Sequence, residues 1–345
     1  MVKTDISLKL MFYNAENFFF LSDEDLSPEH TKLDETQWQK LSTSIYENKP
    51  LNKSKAIANM IHDINPDIIM FCEVGGLESL ENFNHLFLHQ KYSAALIEGN
   101  SERHIDVGFL IRKELPFYFD LMSNKNRPIN YLYPHERMSA QSGHGKNLVS
   151  HKFSRDLAEL RLFSRDRDKP FLNLMLTHLK SRLDPDGIDP NGFERRQAEL
   201  KTLIELYSEF KTKHDIPIVV AGDFNGNASR HNTDKEFLDL YSKTDLEDVA
   251  FLDQLTHEER ATFFQINKNS ANEGRQIDFA FLNSQAQKFF KKKSAHVYRY
   301  KDKMGFPIPV PSTMDAKLAL PSDHYPVIFE LENLPLIPKK KPSTT

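Results

Sequence analysis

Near its C-terminal end the chain reads Leu320-Pro321-Ser322-Asp323-His324-Tyr325-Pro326-Val327, a carboxylate beside an imidazole at the entrance to an apolar run. A carboxylate can hold a cation, and an imidazole, with a free pKa of about 6.5, can move a proton near neutral pH. Other apolar runs end or begin in residues of the same kind: Tyr13-Asn14-Ala15-Glu16-Asn17, Cys72-Glu73, Thr177-His178-Leu179-Lys180-Ser181, Gly222-Asp223-Phe224-Asn225-Gly226-Asn227 and Arg275-Gln276-Ile277-Asp278. Acids gathered in one place repel one another and titrate upward unless a cation or an imidazolium stands among them. If the fold brings these ends together, they describe a metal site.

The apolar runs read as strands: 7–13, 67–72, 105–111, 157–163, 171–178, 216–221, 277–282 and 325–330. Two helices lead into strands. In one, Ile57, Met60, Ile61 and Ile64 fall at helical spacing before Pro66; in the other, Phe193, Leu200, Leu203, Ile204, Tyr207 and Phe210 form an apolar stripe. Strands alternating with helices and no fixed repeat period predict one α/β domain over residues 1–335, with a basic, disordered tail at 336–345. The polar stretch 21–52 and the turn 183–192 read as surface excursions. Trp38, the single tryptophan, falls in the first of these without an assigned task, and Phe18, Phe19 and Phe20 fit core packing.

Composition narrows the class. Among 345 residues, 39% are hydrophobic and the formal net charge is -4, enough apolar material for a large core and no overall excess of positive charge for wrapping a polyanion. The one cysteine, Cys72, sits inside an apolar run, which excludes a disulfide framework. No apolar run is long enough to cross a bilayer, so no stable membrane association is expected. The start lacks a signal peptide's apolar segment, so the chain as written is expected to be soluble and cytoplasmic, or secreted if a leader preceded it. Lys125, Arg127, Arg137, Lys146, Lys152 and Arg155, with His135, His144 and His151 among them, form a basic stretch that could meet a phosphate backbone or stay a solvated loop. Lys291-Lys292-Lys293 and Lys339-Lys340-Lys341 read as solvated charge, and Arg195 and Arg196, at a helix start, as surface residues.

Taken in order from Leu8 to Glu330, these blocks resemble the endonuclease/exonuclease/phosphatase superfamily, and within it the bacterial nuclease-like members. Phe12-Tyr13-Asn14-Ala15-Glu16-Asn17 looks like the family's opening strand, Glu73 like its principal metal-binding glutamate, and His178 like its first catalytic position. Asp223 and Asn225 match its Gly-Asp-x-Asn motif, Asp278 its Ile-Asp strand, and Asp323 with His324 its closing Ser-Asp-His. The resemblance implies a four-layer α/β/β/α sandwich, two mixed sheets flanked by helices. It also implies a phosphodiester hydrolase using Mg²⁺ or Mn²⁺.

Phosphodiester hydrolysis needs an activated water, charge neutralisation on the non-bridging oxygens and help for the leaving alkoxide. The resemblance therefore assigns the cation to Glu73, with Glu16, Asn14 and Asp323 in direct or water-mediated support. Hard oxygen ligands of this kind suit Mg²⁺ or Mn²⁺. His324, held by Asp278, becomes proton acceptor or electrostatic partner; Asp223 orients or deprotonates the water, and Asn225 holds water or a phosphate oxygen. His178 donates to the phosphate or leaving group, with Asp106 as its orienting carboxylate, and Lys180 and Arg182 are candidate phosphate clamps. Gly222-Asp223-Phe224-Asn225-Gly226 lacks the Asn-Tyr-Arg continuation of inositol 5-phosphatases, which leaves a nuclease acting on DNA as the expectation. The alternatives are a sphingomyelinase-like lipid phosphodiesterase or phosphomonoesterase, for which the apolar segment 304–310 would serve, and a non-catalytic nucleic-acid-binding module.

Overall fold

The computed structural model of the chain describes residues 5–141, 149–164, 169–185, 187–268 and 270–336. Its strands are β1 (Asp5–Phe18), β2 (Ile68–Val74), β3 (Tyr92–Leu96), β4 (Asp106–Arg112), β5 (Tyr118–Ser123), β6 (Leu157–Phe163), β7 (Leu172–His178), β8 (Ile218–Asp223), β9 (Glu247–Asp248), β10 (Phe263–Gln265), β11 (Glu273–Arg275), β12 (Asp278–Leu282), β13 (His296–Val297) and β14 (Val327–Pro335). Two six-stranded sheets run β13-β14-β1-β2-β4-β3 and β5-β6-β7-β8-β12-β9, with β10 and β11 forming a separate hairpin. Both large sheets are mixed: β1 pairs parallel with β2 and antiparallel with β14, and β7 pairs parallel with β8, which pairs antiparallel with β12.

The layering follows from strand periodicity. Successive side chains point to opposite faces. Leu8, Leu10 and Phe12 of β1 therefore enter the core between the sheets, with Ile68 and Met70 of β2, Leu174 and Leu176 of β7, and Val219 and Ala221 of β8. Met11 and Tyr13 point the other way, against α2 (Leu51–Ile64) and α3 (Gly76–Phe87), which follow the short α1 (Glu35–Gln39). On the far side, after α4 (Pro134–Gln141), the long α5 (Phe193–Lys213) lays Leu200, Leu203, Ile204, Tyr207 and Phe210 on Met175, Ile218, Val220 and Phe281. Strands covered on both faces read as near-continuous apolar runs, which is how they appear in the sequence. The result is the expected four-layer sandwich.

The differences are local. β3, β5 and α3 were not legible: β5 alternates exposed and half-buried residues as an edge strand, and α3 starts behind two glycines. The polar stretch 21–52 is more than a surface excursion. Trp38 is 1% exposed, packs edge-on against Phe20 at 5.3 Å and donates Nε1–H to the Lys49 carbonyl at 2.9 Å, which anchors the segment and carries Lys49 inward. Arg196 is not a surface residue either: it is 1% exposed and holds Glu236 at 2.6 Å. Residues 337–345 of the expected tail lie outside the described residues. Among the described residues no helix is long and apolar enough to cross a membrane.

Candidate active site

Strand direction gathers the polar ends at one rim. β1 and β2 run parallel and finish there, as do β7 and β8; β12 and β14 run the other way and start there. The register places Asp223 opposite both His178 and Asp278. The loop carrying Asp323 and His324 enters from the other sheet, tied down where Ser322 Oγ donates to the Asn14 carbonyl at 2.9 Å and accepts the His324 N–H at 3.1 Å. Between the two rims lies a cleft of about 400 Å³ lined by Glu16, Asn17, Glu73, Arg103, Arg155, His178, Arg182, Asp223, Asn225, Phe263, Arg275, Asp323 and His324, among others.

Two imidazoles approach Asp223 from different environments. His324 places Nδ1 2.8 Å from Asp278 Oδ2, and its Nε2 is 4.0 Å from Asp223 Oδ2 and 3.7 Å from Asp323 Oδ1. Burial opposes protonation, yet Asp278, Asp323 and Asp223 outweigh it and hold the His324 pKa well above the ordinary value. His178 has Nε2 3.5 Å from Asp223 Oδ2 and a buried Nδ1 with no hydrogen-bond partner among the described residues. Burial, then the nearby charge of Arg155 and of His324, pushes its pKa well below ordinary. Asp223 itself is 2% exposed and pushed up to about 7 by burial and by Asp278.

The acid side is held by strained backbone. Glu16, Asn17, Glu73 and Asn225 all have positive φ, at 50°, 48°, 63° and 53°, a conformation that costs a non-glycine residue about 1–3 kcal/mol and persists where surrounding contacts impose it. At Glu73 those contacts are the Asn17 N–H at 3.0 Å and the Asn14 amide at 3.5 Å. Asn14, 1% exposed, also donates to Asp223 Oδ2 at 3.0 Å and accepts the Glu16 N–H at 3.0 Å, so it bridges the acids from behind and does not line the cleft. Asn225 gives its N–H to Asp223 Oδ1 at 2.8 Å and its side-chain amide to the Leu179 carbonyl at 3.0 Å.

Asp106 and Lys180 stand elsewhere than expected. Asp106 forms no hydrogen bond with His178; its carboxylate accepts the Gly99 N–H at 2.7 Å and does not line the cleft. Lys180 turns its ammonium onto the carbonyls of Ser181 and Leu183 in its own loop, at 3.3 and 2.6 Å. Arg182 does line the cleft, but Asp234 at 2.6 Å and the Asn225 carbonyl at 3.0 Å already engage it. In the basic stretch, Arg127 and Arg137 pair with Glu209 and Glu194, at 2.6 and 2.9 Å, and His144 and Lys146 lie outside the described residues. Lys291, read as solvated charge, pairs with Glu330 at 2.7 Å.

The structure adds residues that sequence reasoning missed. Asp156, 1% exposed, sits one step beyond the Leu157–Thr177 pair and so across from His178; its Oδ1 accepts the Asn124 N–H at 2.9 Å and its Oδ2 has no partner among the described residues. Arg155 is buried beside His178 with an unpartnered Nε. Lys49 and Lys317 stand against Glu16 and Asp323, at 3.2 and 3.4 Å. A basic residue just before a strand was the only available signal, and it pointed at Arg155 within a longer run.

The donors fit a hard divalent cation. Glu16, Glu73 and Asp323 offer carboxylate oxygens to the cleft, while the one thiol, Cys72, is fully buried and directed to the Thr177 carbonyl. A tighter group, Asp223, Asp278 and His324, has potential ligand atoms within 4.8 Å of one another; its imidazole is pushed toward the charged form by Asp278, Asp323 and Asp223, and the charged form has no lone pair for a ligand bond.

Comparison with known proteins shows the family and the fold. The family model described as Endonuclease/Exonuclease/phosphatase family matches residues 12–324. Among solved structures, the chain is similar to the human Nocturnin catalytic domain with bound sulfate anion (TM-score 0.55, 17% identity, 94% of this chain and 95% of that one). It is also similar to D. rerio TDP2 complexed with single strand DNA product (0.54, 14%, 94% and 99%), and to an endonuclease/exonuclease/phosphatase from Bacteroides vulgatus (0.53, 14%, 95% and 99%). At these identities the likeness is one of fold. No curated protein sequence matches the chain.

Proposed function

The chain belongs to the endonuclease/exonuclease/phosphatase family, and from that premise we propose that it is a metal-dependent phosphodiester hydrolase, a nuclease that cleaves DNA by in-line attack of an activated water. The observation that carries this reading is that Asp223 lies between two imidazoles, 3.5 Å from His178 Nε2 and 4.0 Å from His324 Nε2, in unlike surroundings: Asp278 at 2.8 Å pushes His324 toward its charged form, and burial pushes His178 toward its neutral one. Environments that drive neighbouring titratable groups apart assign acid and base roles.

In this mechanism Asp223, raised to about 7, takes the proton of the attacking water, and His324, which Asp278 at 2.8 Å pushes toward its charged form, acts as the electrostatic partner. The Asn225 N–H fixes the Asp223 carboxylate that does so. His324 directs its Nε2–H at a non-bridging oxygen, and neutral His178 hydrogen-bonds the phosphate or leaving group. Glu73, with Glu16 and Asp323 directly or through water, would hold Mg²⁺ or Mn²⁺, which would supply charge stabilisation at the phosphate. Arg103 and Arg155 line the cleft beside Arg182 and Arg275, which Asp234 and Glu273 pair at 2.6 and 2.7 Å, and together they suit its mouth to a polyanion. The single-strand DNA product held by the D. rerio TDP2 structure supports DNA as the substrate.

A lipid phosphodiesterase is the second reading, favoured by Met304, Phe306 and Val310, which are 83%, 65% and 50% exposed on one segment. Incubating the purified protein with plasmid, single-stranded DNA, RNA and sphingomyelin, with Mg²⁺, Mn²⁺ or EDTA, separates the readings. Nicking that EDTA abolishes and that His324→Ala loses is expected; turnover of sphingomyelin alone would overturn the nuclease.

A further inference from the structure

Three carboxylates face the cleft from the metal side, and they are not equivalent. Glu16 is met by Lys49, which is 4% exposed and spends its three donors on the Ala15 carbonyl at 3.0 Å, the Glu16 carbonyl at 2.7 Å and Glu16 Oε2 at 3.2 Å. Asp323 is met by Lys317, whose ammonium lies 3.4 Å from Oδ2, 3.1 Å from the Phe264 carbonyl and 3.4 Å from the Phe263 ring centroid. Glu73 has no ion pair among the described residues; its oxygens meet only the Asn17 N–H and the Asn14 amide.

We propose that Lys49 and Lys317 are positioning residues that neutralise Glu16 and Asp323, leaving Glu73 as the one uncompensated carboxylate, so that the cleft takes a single divalent cation and takes it weakly. The inference rests on the metal-dependent reading above. Ligand charge count tunes the affinity of oxygen sites over several decades, and a fixed ammonium beside a ligand carboxylate subtracts from that count. It also repels a second cation through a partly desolvated medium, where unit charges a few ångströms apart are worth several kcal/mol. Both lysines are placed by tertiary structure: Lys49 by the Trp38-anchored segment, Lys317 by the β10 strand it covers. An internal cation at each flank also keeps the strained Glu16–Asn17 turn and the Asp323–His324 loop in position without metal, so the site is assembled before it loads.

The test is Mn²⁺ titration of the protein alone by calorimetry, with folding checked by circular dichroism. Wild type is expected to bind one Mn²⁺, and Glu73→Gln to lose it. Lys49→Met and Lys317→Met should each tighten binding by about tenfold through the uncovered carboxylate, while Lys49→Arg stays at the wild-type value. If Lys49→Met does not fold, Lys317→Met and Lys49→Arg still decide. Unchanged or weaker Mn²⁺ binding in the folded Lys→Met variants sinks the inference and leaves the metal reading standing. Wild-type binding by Glu73→Gln instead overturns the metal reading itself.

Discussion

His324 Nδ1 lies 2.8 Å from Asp278 Oδ2, a buried contact between residues 46 positions apart that fixes the ring and keeps it charged. Asp278→Asn keeps an oxygen at that place and removes the charge. The expected result is a fall of at least about 100-fold in kcat/KM, the lower bound for losing a positioned acid or base. The pH profile carries the sharper signal. Activity should rise as pH climbs through about 7, where Asp223 ionises, and fall as His324 deprotonates well above its ordinary value. In Asp278→Asn the falling limb should move to lower pH; an unmoved limb would show that His324 is not the group. Stability follows the same sign. His324's folded pKa exceeds its unfolded one, so its contribution is complete below about pH 6.5 and is lost as pH rises through the folded value.

The β6–β7 register carries Asp156 across from His178, while its Oδ1 accepts the Asn124 N–H at 2.9 Å and no hydrogen bond joins it to His178 among the described residues; Asp106 is held by the Gly99 N–H. Asp156→Asn should lower kcat by about tenfold with little change in KM, as expected when a buried neighbour of a catalytic ring is lost. Asp106→Asn should leave kcat alone and lower stability by about 1 kcal/mol through its weakened bond with Gly99. Steady-state kinetics and urea unfolding of the two variants, side by side, check both halves.

Arg155 is the buried guanidinium beside His178, with an Nε that finds no hydrogen-bond partner among the described residues. Arg155→Met should raise KM for a DNA substrate, and the slope of log(kcat/KM) against log[salt] should shrink by about one phosphate contact. His178 should titrate at a higher pH in the same variant, because a nearby cation has gone, although burial still holds it down. NMR titration of the His178 ring reads this without any substrate.

Arg196 tests the scaffold. It bonds Glu236 and also donates to the carbonyls of Lys180 and Asn191, at 3.1 and 3.0 Å, which pins the loop after His178 to the start of α5. Arg196→Ala leaves a 5% exposed carboxylate unpaired and should cost about 3–5 kcal/mol in denaturant unfolding. Adding Glu236→Ala should recover part of that loss, since the uncompensated charge goes with it.

The chain's own order announced the fold and the acids at its rim. β1 alternates Leu8, Leu10 and Phe12 with Met11 and Tyr13, and an apolar residue on both faces already requires a covered strand in a layered α/β structure. Glu73, Asp223, Asp278 and His324 were legible because each stands at the end or start of such a strand, and parallel and antiparallel directions then force them to one rim. Asp156 was not legible, since its nearness to His178 exists only through the β6–β7 register.

What tertiary structure alone decided is which charge meets which. Lys49 reaches Glu16 across 33 residues, and Trp38 holds it there from a segment that reads as polar surface. Arg196 reaches Glu236 across 40, while Lys180, equally basic and next to the catalytic strand, bonds its own loop. Backbone periodicity is local and survives in the sequence. The pairing of long charged side chains depends on burial and on distances between segments far apart in the chain, and a one-dimensional pattern does not encode those distances.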